Sequence, residues 1–156
     1  MRTLLCAMVL AFALAGAAPD PVAWKLAEGP AKAVKPGSRF TVNLVARIEQ
    51  GWHLYSMKHV EDGPVATRIW LAEGQPFQLA DKVKGSTPET LQDPSFNMEV
   101  ELYEGEATFV LPLKVAAGTG AGAQTLSVNA SYQSCNNKIC LPPKTVKVEL
   151  PVTVAK

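Results

Sequence analysis

Apolar residues recur at every second position through segment 40–49, with polar residues between them except at Val45, and this alternation constrains the fold more than any other feature of the chain. Successive side chains of a β-strand point to opposite faces, so a period of two predicts a half-buried strand and not an amphipathic helix. The same alternation recurs in segments 107–115, 124–133 and 145–154. The longest regular elements of the protein are therefore predicted to be strands. The apolar positions of the first segment are Phe40, Val42, Leu44, Ala46 and Ile48.

Shorter segments with strand character and turns rich in proline and glycine complete the pattern. Strand character is present in segments 22–27, 66–71, 77–79 and 98–103. Between seven and nine short strands without helical periodicity are typical of an antiparallel β-sandwich of the immunoglobulin-like type. We therefore predict an all-β, immunoglobulin-like antiparallel β-sandwich.

Two connections in this pattern lead to specific expectations. The turn Glu104-Gly105 predicts a hairpin between segments 98–103 and 107–115. Segment 81–97 is polar and contains Pro88 and Pro94, which predicts a long loop without regular ladders. A long loop inside a compact domain is often functional, and this one ends near an isolated aromatic residue, Phe96.

Length and charge exclude several classes of protein. A chain of 156 residues that is 47% hydrophobic and 19% charged is sufficient for one domain with a buried core. The formal net charge is +1, without a basic stripe or an acidic block. Neither nucleic acid nor an anionic membrane surface is expected as a partner.

The first seventeen residues resemble a secretory signal peptide. Arg2 precedes an apolar run from Leu4 to Leu14, and Ala15-Gly16-Ala17 is a small-residue cleavage site. The apolar run is shorter than the ~20 residues of a membrane-spanning helix. We therefore predict a signal peptide over 1–17, removed together with Cys6, and an exported domain over 18–156. No later segment is apolar enough to span a membrane, so the mature protein is expected to be soluble and not membrane-embedded.

Removal of Cys6 leaves Cys135 and Cys140, which are five positions apart in a polar turn between the last two predicted strands. An oxidising compartment favours their pairing. A disulfide that closes so short a loop restrains the unfolded chain by only about 2 kcal/mol. Its polar neighbours, including Lys138, favour solvent access and exchange. From these residues alone, a redox-active bond and a structural bridge are equally supported.

Other groups of reactive residues carry weaker signals. His53, Met57 and His59 offer nitrogen and thioether ligands that suit copper in an exported protein, but their spacing is not a specific motif. Ser134 and His53 lack the sequence context of a hydrolase nucleophile and base. No residue pattern calls for a cofactor, and we expect none.

Three motifs of the chain belong together. They are Gly51-Trp52-His53-Leu54-Tyr55-Ser56, Phe96 ahead of Tyr103-Glu104-Gly105, and Tyr132-Gln133-Ser134-Cys135 with Cys140-Leu141-Pro142-Pro143. With them the chain resembles a known family, the periplasmic amino-terminal domain of DsbD-type thiol:disulfide interchange proteins. The similarity extends over essentially the whole mature chain, and the cysteine motif is the most specific part of it.

The resemblance implies a role for each matching residue. Cys140 matches the cysteine that forms mixed disulfides with partners, and Cys135 matches the one that resolves them. Phe96 matches the aromatic tip of a cap loop that opens when a partner docks, and Tyr55 matches an aromatic residue near the pair. With the cap, Leu141 and Pro142 would form the docking surface.

The resemblance also implies a periplasmic location and thioredoxin-like partners, because in this family the domain relays reducing equivalents from a thioredoxin-like domain to periplasmic proteins, including those of cytochrome c maturation. This chain departs from the family in having His53 at a tyrosine position, a shorter spacer between the cysteines, and Asp93 displaced from the cap aromatic. The membrane and thioredoxin-like parts are absent, so a membrane thiol reductase would have to supply electrons in trans. The alternatives are a non-enzymatic binding or adaptor module with a structural disulfide, and a copper-binding protein.

Overall fold

The computed structural model describes residues 20–27 and 29–156, so the predicted signal peptide and Cys6 lie outside the described residues. Within that range the regular structure consists entirely of β-strands. In chain order these are β1 (Val22–Leu26), β2 (Arg39–Ile48), β3 (Trp52–Tyr55), β4 (Arg68–Leu71), β5 (Phe77–Leu79), β6 (Lys84–Gly85), β7 (Glu89–Asp93), β8 (Met98–Tyr103), β9 (Glu106–Val115), β10 (Gly122–Tyr132), β11 (Ser134–Asn136) and β12 (Lys144–Val154).

The strands form three antiparallel sheets. The first has the order β1-β2-β9-β5, with β6 also paired to β9. The second has the order β12-β10-β4, and the third has the order β11-β3-β8-β7. This all-β arrangement confirms the predicted immunoglobulin-like sandwich.

The alternating segments of the sequence supply the main core between the first two sheets. Even-numbered residues of β2 and β10 and odd-numbered residues of β9 point inward, as their alternation predicts. Each large apolar side chain that is fully buried there contributes roughly 1.5–3 kcal/mol to folding. The largest of these side chains are Leu44, Phe109, Leu111, Leu113, Leu126, Val128 and Tyr132.

The predicted hairpin between segments 98–103 and 107–115 is wrong. Both strands form, but β8 pairs with β3 and β7 in the third sheet, whereas β9 pairs with β2 in the first. Gly105 has a φ of 67°, which favours glycine, and its carbonyl accepts a hydrogen bond from the Ile48 amide at 2.8 Å. The turn therefore carries the chain from one sheet to another. Alternation predicts a strand but not its partner.

The predicted long loop over 81–97 without regular ladders is also wrong, because this segment contains two paired strands, β6 and β7. β7 pairs with β8 from Glu89 opposite Leu102 to Asp93 opposite Met98. Pro88 and Pro94 lie directly outside β7, where the missing amide protons interrupt no ladder. After β7 the chain makes a tight turn over residues 94–97, which we call the cap turn. Asn97 takes a φ of 53° there.

The last two long strands pair with each other, and the cysteine stretch lies at the end of the hairpin that they form. β10 and β12 are in register from Gly122 opposite Val154 to Tyr132 opposite Lys144. Beyond that point β11 leaves the second sheet and pairs with β3 of the third. Strand β3 is the aromatic segment around Trp52. In the described part of the chain, no helix is long and apolar enough to cross a membrane.

Candidate functional site

Cys135 and Cys140 form a disulfide with an S–S distance of 2.02 Å and a Cα–Cα distance of 4.0 Å. A turn over residues 136–139 brings them together. The Asn136 side-chain oxygen accepts hydrogen bonds from the amides of Lys138 at 2.8 Å and Ile139 at 2.9 Å. An asparagine at this position stabilises a turn by such bonds. The sequence Asn136-Asn137-Lys138-Ile139 therefore folds back and sets the two cysteines opposite each other.

The two cysteines differ in how firmly they are held and in how far they are exposed. Cys135 belongs to β11, lies opposite His53 of β3, and is 0% exposed. Cys140 lies outside any named strand and is half-buried. The backbone amide of Leu141 donates to the Ser134 carbonyl at 2.9 Å, which closes the ring behind them. Cys140 is therefore the more exposed residue of the pair, whereas Cys135 is enclosed.

The disulfide lies in a small second core on the third sheet, which we call the side core. Its buried members are Tyr55, Val100, Leu102 and Cys135. Alternation along β3 and β8 sends Leu54 and Tyr103 to the main core and Tyr55 and Leu102 to the side core. The third sheet therefore separates the disulfide from the main core. Leu91, Phe96, Met98 and Cys140 pack against the side core and are partly exposed.

The cap turn brings Phe96 onto this side core. The Phe96 and Tyr55 rings meet edge to face, with centroids 6.0 Å apart and an interplanar angle of 89°. Such an arrangement of aromatic rings is favourable. The structure thus places Phe96 and Tyr55, two of the residues singled out in the sequence, in the same cluster as the cysteine pair.

Asp93 is a member of the site that sequence reasoning did not select. It is 1% exposed and ends β7. Its carboxylate accepts a hydrogen bond from the Tyr55 hydroxyl at 2.6 Å and another from the Ser95 amide at 2.7 Å. Leu91 and Asp93 are two positions apart, so they lie on the same face of β7. A strand prediction for segment 89–93 would have placed Asp93 on the apolar face with Leu91.

His53 continues this hydrogen-bonded chain. Its Nε2 atom lies 3.1 Å from the Tyr55 hydroxyl oxygen and 3.9 Å from the Asp93 carboxylate. Burial lowers the pKa of His53, although the carboxylates of Asp93 and Glu104 oppose that shift. Burial, together with the hydrogen bond to Asp93, raises the pKa of Tyr55. The Tyr55 hydroxyl therefore remains a proton donor over the physiological pH range.

The other side of the cysteine turn carries apolar surface. Leu141 and Pro142 line a cavity of about 280 Å³ together with Tyr132 and Lys144. Ile139 is 52% exposed directly before Cys140, and the sequence analysis did not select it. An apolar residue within a polar turn was the available signal. Ile139 and Leu141 flank Cys140 in sequence, and both are apolar.

The three side chains of the copper hypothesis occupy different environments. His53 is bonded to Tyr55 in the side core. Met57 packs against the main core, and the exposed His59 ring lies 3.6 Å from Glu61. Over residues 20–27 and 29–156, no group of three or more His, Cys, Asp and Glu side chains is placed to hold a metal ion.

Comparison with known proteins agrees with this geometry. The family model of the thiol:disulfide interchange protein DsbD, N-terminal, matches residues 24–151. The Neisseria meningitidis DsbD N-terminal domain in the reduced form superimposes with a TM-score of 0.52 at 20% identity, covering 72% of this chain and 77% of that one. The N-terminal periplasmic domain of ScsB from Proteus mirabilis gives a TM-score of 0.55 at 15% identity, covering 85% of this chain and 47% of that one. No curated protein matches the chain by sequence.

The chain combines an immunoglobulin-like sandwich with a short-range disulfide in a side core, and the family match supports a thiol:disulfide exchange module. The chain belongs to the family of the N-terminal domain of the thiol:disulfide interchange protein DsbD, whose model matches most of its length.

Proposed function

We propose that this protein is a periplasmic module that relays reducing equivalents between a thioredoxin-like donor and periplasmic client proteins through Cys135 and Cys140. Membership of the DsbD N-terminal family supports exchange chemistry. The observation that carries the assignment of roles is the difference in exposure, because Cys135 is fully buried and Cys140 is half-buried. The accessible sulfur meets partners, and the enclosed sulfur acts within the module.

Loading with electrons begins when a donor thiolate attacks the Sγ atom of Cys140. The Sγ–Sγ bond breaks, Cys135 leaves as a thiolate and takes a proton, and a mixed disulfide forms between the donor and Cys140. A second thiolate of the donor then attacks the donor sulfur of that bond. Cys140 is released as a thiolate, the donor becomes a disulfide, and two electrons have entered the module.

In the delivery of electrons to a client, Cys140 is the attacking thiolate instead of the sulfur that is attacked. The Cys140 thiolate attacks a client disulfide and forms a new mixed disulfide, releasing one client thiolate. Cys135 then attacks Cys140, which re-forms the internal bond and releases the second client sulfur as a thiolate. The client has gained two electrons and takes up two protons. The 4.0 Å Cα–Cα distance within the module keeps Cys135 in reach for this resolving step.

The docking surface combines the cap with the apolar rim of the cysteine turn. Phe96 lies on one side of the pair, and Ile139, Leu141 and Pro142 lie along the turn. Partners would be thioredoxin-like proteins or domains, with a membrane thiol reductase supplying electrons in trans. Export with cleavage after Ala17 would place the module in the compartment where such exchange occurs.

Trapping of mixed disulfides tests this function. In an oxidising periplasmic extract, Cys135→Ser should accumulate mixed disulfides through Cys140, because the resolving thiol is missing. Cys140→Ser is the matched control and should capture far less, since Cys135 is enclosed. Capture of thioredoxin-like proteins by the first variant supports the relay, and absence of capture by both variants contradicts it.

The reduction potential of the disulfide separates the relay from a structural role. A structural disulfide of an adaptor module has a potential below about −300 mV, whereas thiol exchange proteins are more oxidising. We expect a value in the exchange range. The measurement uses equilibration with glutathione or dithiothreitol buffers and counts free thiols by mass after alkylation.

A further inference from the structure

We propose that Asp93 is a positioning residue that latches the cap turn over the disulfide, by joining the Tyr55 hydroxyl of β3 to the Ser95 amide of the cap turn. Release of this latch would set how often a partner thiolate reaches Cys140. The proposal rests on the function proposed above, because the rate of cap opening matters only if the disulfide exchanges.

Asp93 lies at the end of the hairpin of β7 and β8 that carries the cap turn. It pairs with Met98 as the last residue of β7, so the cap turn begins directly after it. One carboxylate oxygen accepts from the Ser95 amide at 2.7 Å inside that turn. The other accepts from the Tyr55 hydroxyl at 2.6 Å on β3. A single side chain therefore fixes the turn internally and attaches it to a neighbouring strand of the same sheet.

The Asp93 carboxylate is buried. Its side chain is only 2% exposed, so water supplies little of its stabilisation. A buried carboxylate is stable when hydrogen bonds compensate for lost hydration, and it is costly when one partner is removed. The closed position of the cap turn satisfies both oxygens. Lifting the turn breaks at least one of these bonds.

The hydrogen bonds of β3 have a direction that favours the latch. The Tyr55 hydroxyl donates to Asp93, so its oxygen is free to accept from His53 Nε2, which lies 3.1 Å away. Besides Asp93, the charged group that acts on His53 is Glu104, on the turn before β9. Cys135, which lies opposite His53, is held in the disulfide. His53 thereby orients the Tyr55 hydroxyl toward the latch from the strand that pairs with Cys135.

The latch also controls an aromatic contact. Phe96 lies one residue beyond Ser95 and stacks edge to face on Tyr55, the same residue that donates to Asp93. Phe96 and Cys140 both pack on the side core. Opening of the latch would remove Phe96 from Tyr55 and expose the disulfide from the side of the cap.

The experiment measures the rates of disulfide reduction by dithiothreitol and of reoxidation by oxidised dithiothreitol in the full chain. We expect Asp93→Asn to raise both rates on the order of tenfold, which corresponds to the loss of one hydrogen bond to a charged group. Asparagine offers one acceptor oxygen where aspartate offers two. Because a latch changes access in both directions equally, the reduction potential should be unchanged.

Tyr55→Phe provides a second variant, which keeps the ring and the side-core packing but removes the hydroxyl. We expect the same acceleration as in Asp93→Asn. In the double variant the two effects should combine less than multiplicatively, because both substitutions break the same bond. Multiplicative combination would contradict a shared latch.

Two matched controls should leave the rates unchanged. Glu99→Gln removes a carboxylate from the exposed face of the same hairpin, opposite Gln92. Tyr132→Phe removes another tyrosine hydroxyl that bonds an aspartate, away from the cap turn. Unchanged rates in both latch variants, or a change in potential with only one rate altered, would overturn the proposal.

The outcome is independent of the test of the proposed function. Dithiothreitol reports access to the bond even if no partner protein is ever trapped by Cys135→Ser. Failure of trapping with accelerated reduction would therefore reject the relay and keep the latch. Successful trapping with unchanged rates would keep the relay and reject the latch.

Discussion

Two buried tyrosines donate hydrogen bonds to aspartates, and their surroundings differ. Tyr132 of the main core donates to Asp20 at 3.0 Å, and Asp20 also pairs with Lys144 at 2.5 Å. Tyr55 of the side core donates to Asp93 at 2.6 Å. The Asp20 side chain is 35% exposed and the Asp93 side chain 2%. Asp20 is stabilised by water and a cation, whereas Asp93 depends on its hydrogen bonds.

The two tyrosine–aspartate bonds therefore have different roles. We call the bond from Tyr132 to Asp20 the anchor, and the bond from Tyr55 to Asp93 belongs to the latch. The bond to Asp20 ties the start of β1 to the end of β10, and solvent can replace it with little loss. The bond to Asp93 holds a turn that carries the cap aromatic, and nothing in its buried setting replaces it when it breaks. The same residue pair therefore has a structural role in one place and a proposed regulatory role in the other.

The largest effect on the free energy of unfolding should be seen when an aromatic residue of the main core is compared with one of the side core. Phe109→Ala in the main core should lower the free energy of unfolding by about 3–5 kcal/mol, because the residue is fully buried. Phe96→Ala should cost clearly less, since Phe96 is half-buried at the edge of the side core. Urea denaturation of the oxidised proteins checks both values. Equal losses would show that the cap turn is part of the main cooperative core.

The second largest effect should be the difference in stability between substitutions of the two aspartates. Asp93→Asn should lower the free energy of unfolding by about 1.5–3 kcal/mol, the usual value for a hydrogen bond to a charged group. Asp20→Asn should cost less than about 1 kcal/mol, because exposed ion pairs contribute little. The pair of denaturation curves is the measurement, and the reverse order would remove the distinction between anchor and latch.

A pH dependence distinguishes the side core from the surface. Burial lowers the pKa of His53 below its ordinary value of 6.5, so the unfolded chain binds the proton more readily than the folded one. Stability should therefore fall as the pH is lowered through about 6.5 toward the folded value. His53→Gln should weaken this dependence, while His59→Gln, at an exposed position, should retain it.

The smallest effect should come from the cation of the Asp20 pair. Lys144→Gln should change the free energy of unfolding by less than about 1 kcal/mol, because both partners are partly exposed. The rate of disulfide reduction should stay the same, since Lys144 contacts neither the cap turn nor Asp93. Accelerated reduction in this variant would mean that the two tyrosine–aspartate pairs are coupled through the cysteine turn.

Much of the fold and part of the site could be predicted from local pattern. The alternation of Val42 and Leu44 with Thr41 and Asn43 predicted their burial. The aromatic and cysteine motifs indicated the family that the family model then matched. The disulfide between Cys135 and Cys140 could be expected from their spacing and the expected compartment, and it is present. These features depend on residues that are close in the chain.

The errors share one cause, which is pairing between distant segments. Tyr103 and Ala107 are separated by a short turn, yet they belong to different sheets, because β8 pairs with β3 and β9 with β2. Segment 89–93 is polar and lies between two prolines, and only its pairing with β8 makes it a strand. Asp93 was not selected for the same reason, since its partner Tyr55 is 38 positions away.

The sequence by itself determined the long strands, their inward faces and the pairing of the two cysteines, because each follows from alternation or from short spacing. Only the tertiary structure decided that the disulfide lies in a side core apart from the main core, and that Asp93, Tyr55 and His53 meet beside it. The physical reason is that burial of a carboxylate requires partners from other strands, and the choice of neighbouring strands is a property of the whole sandwich.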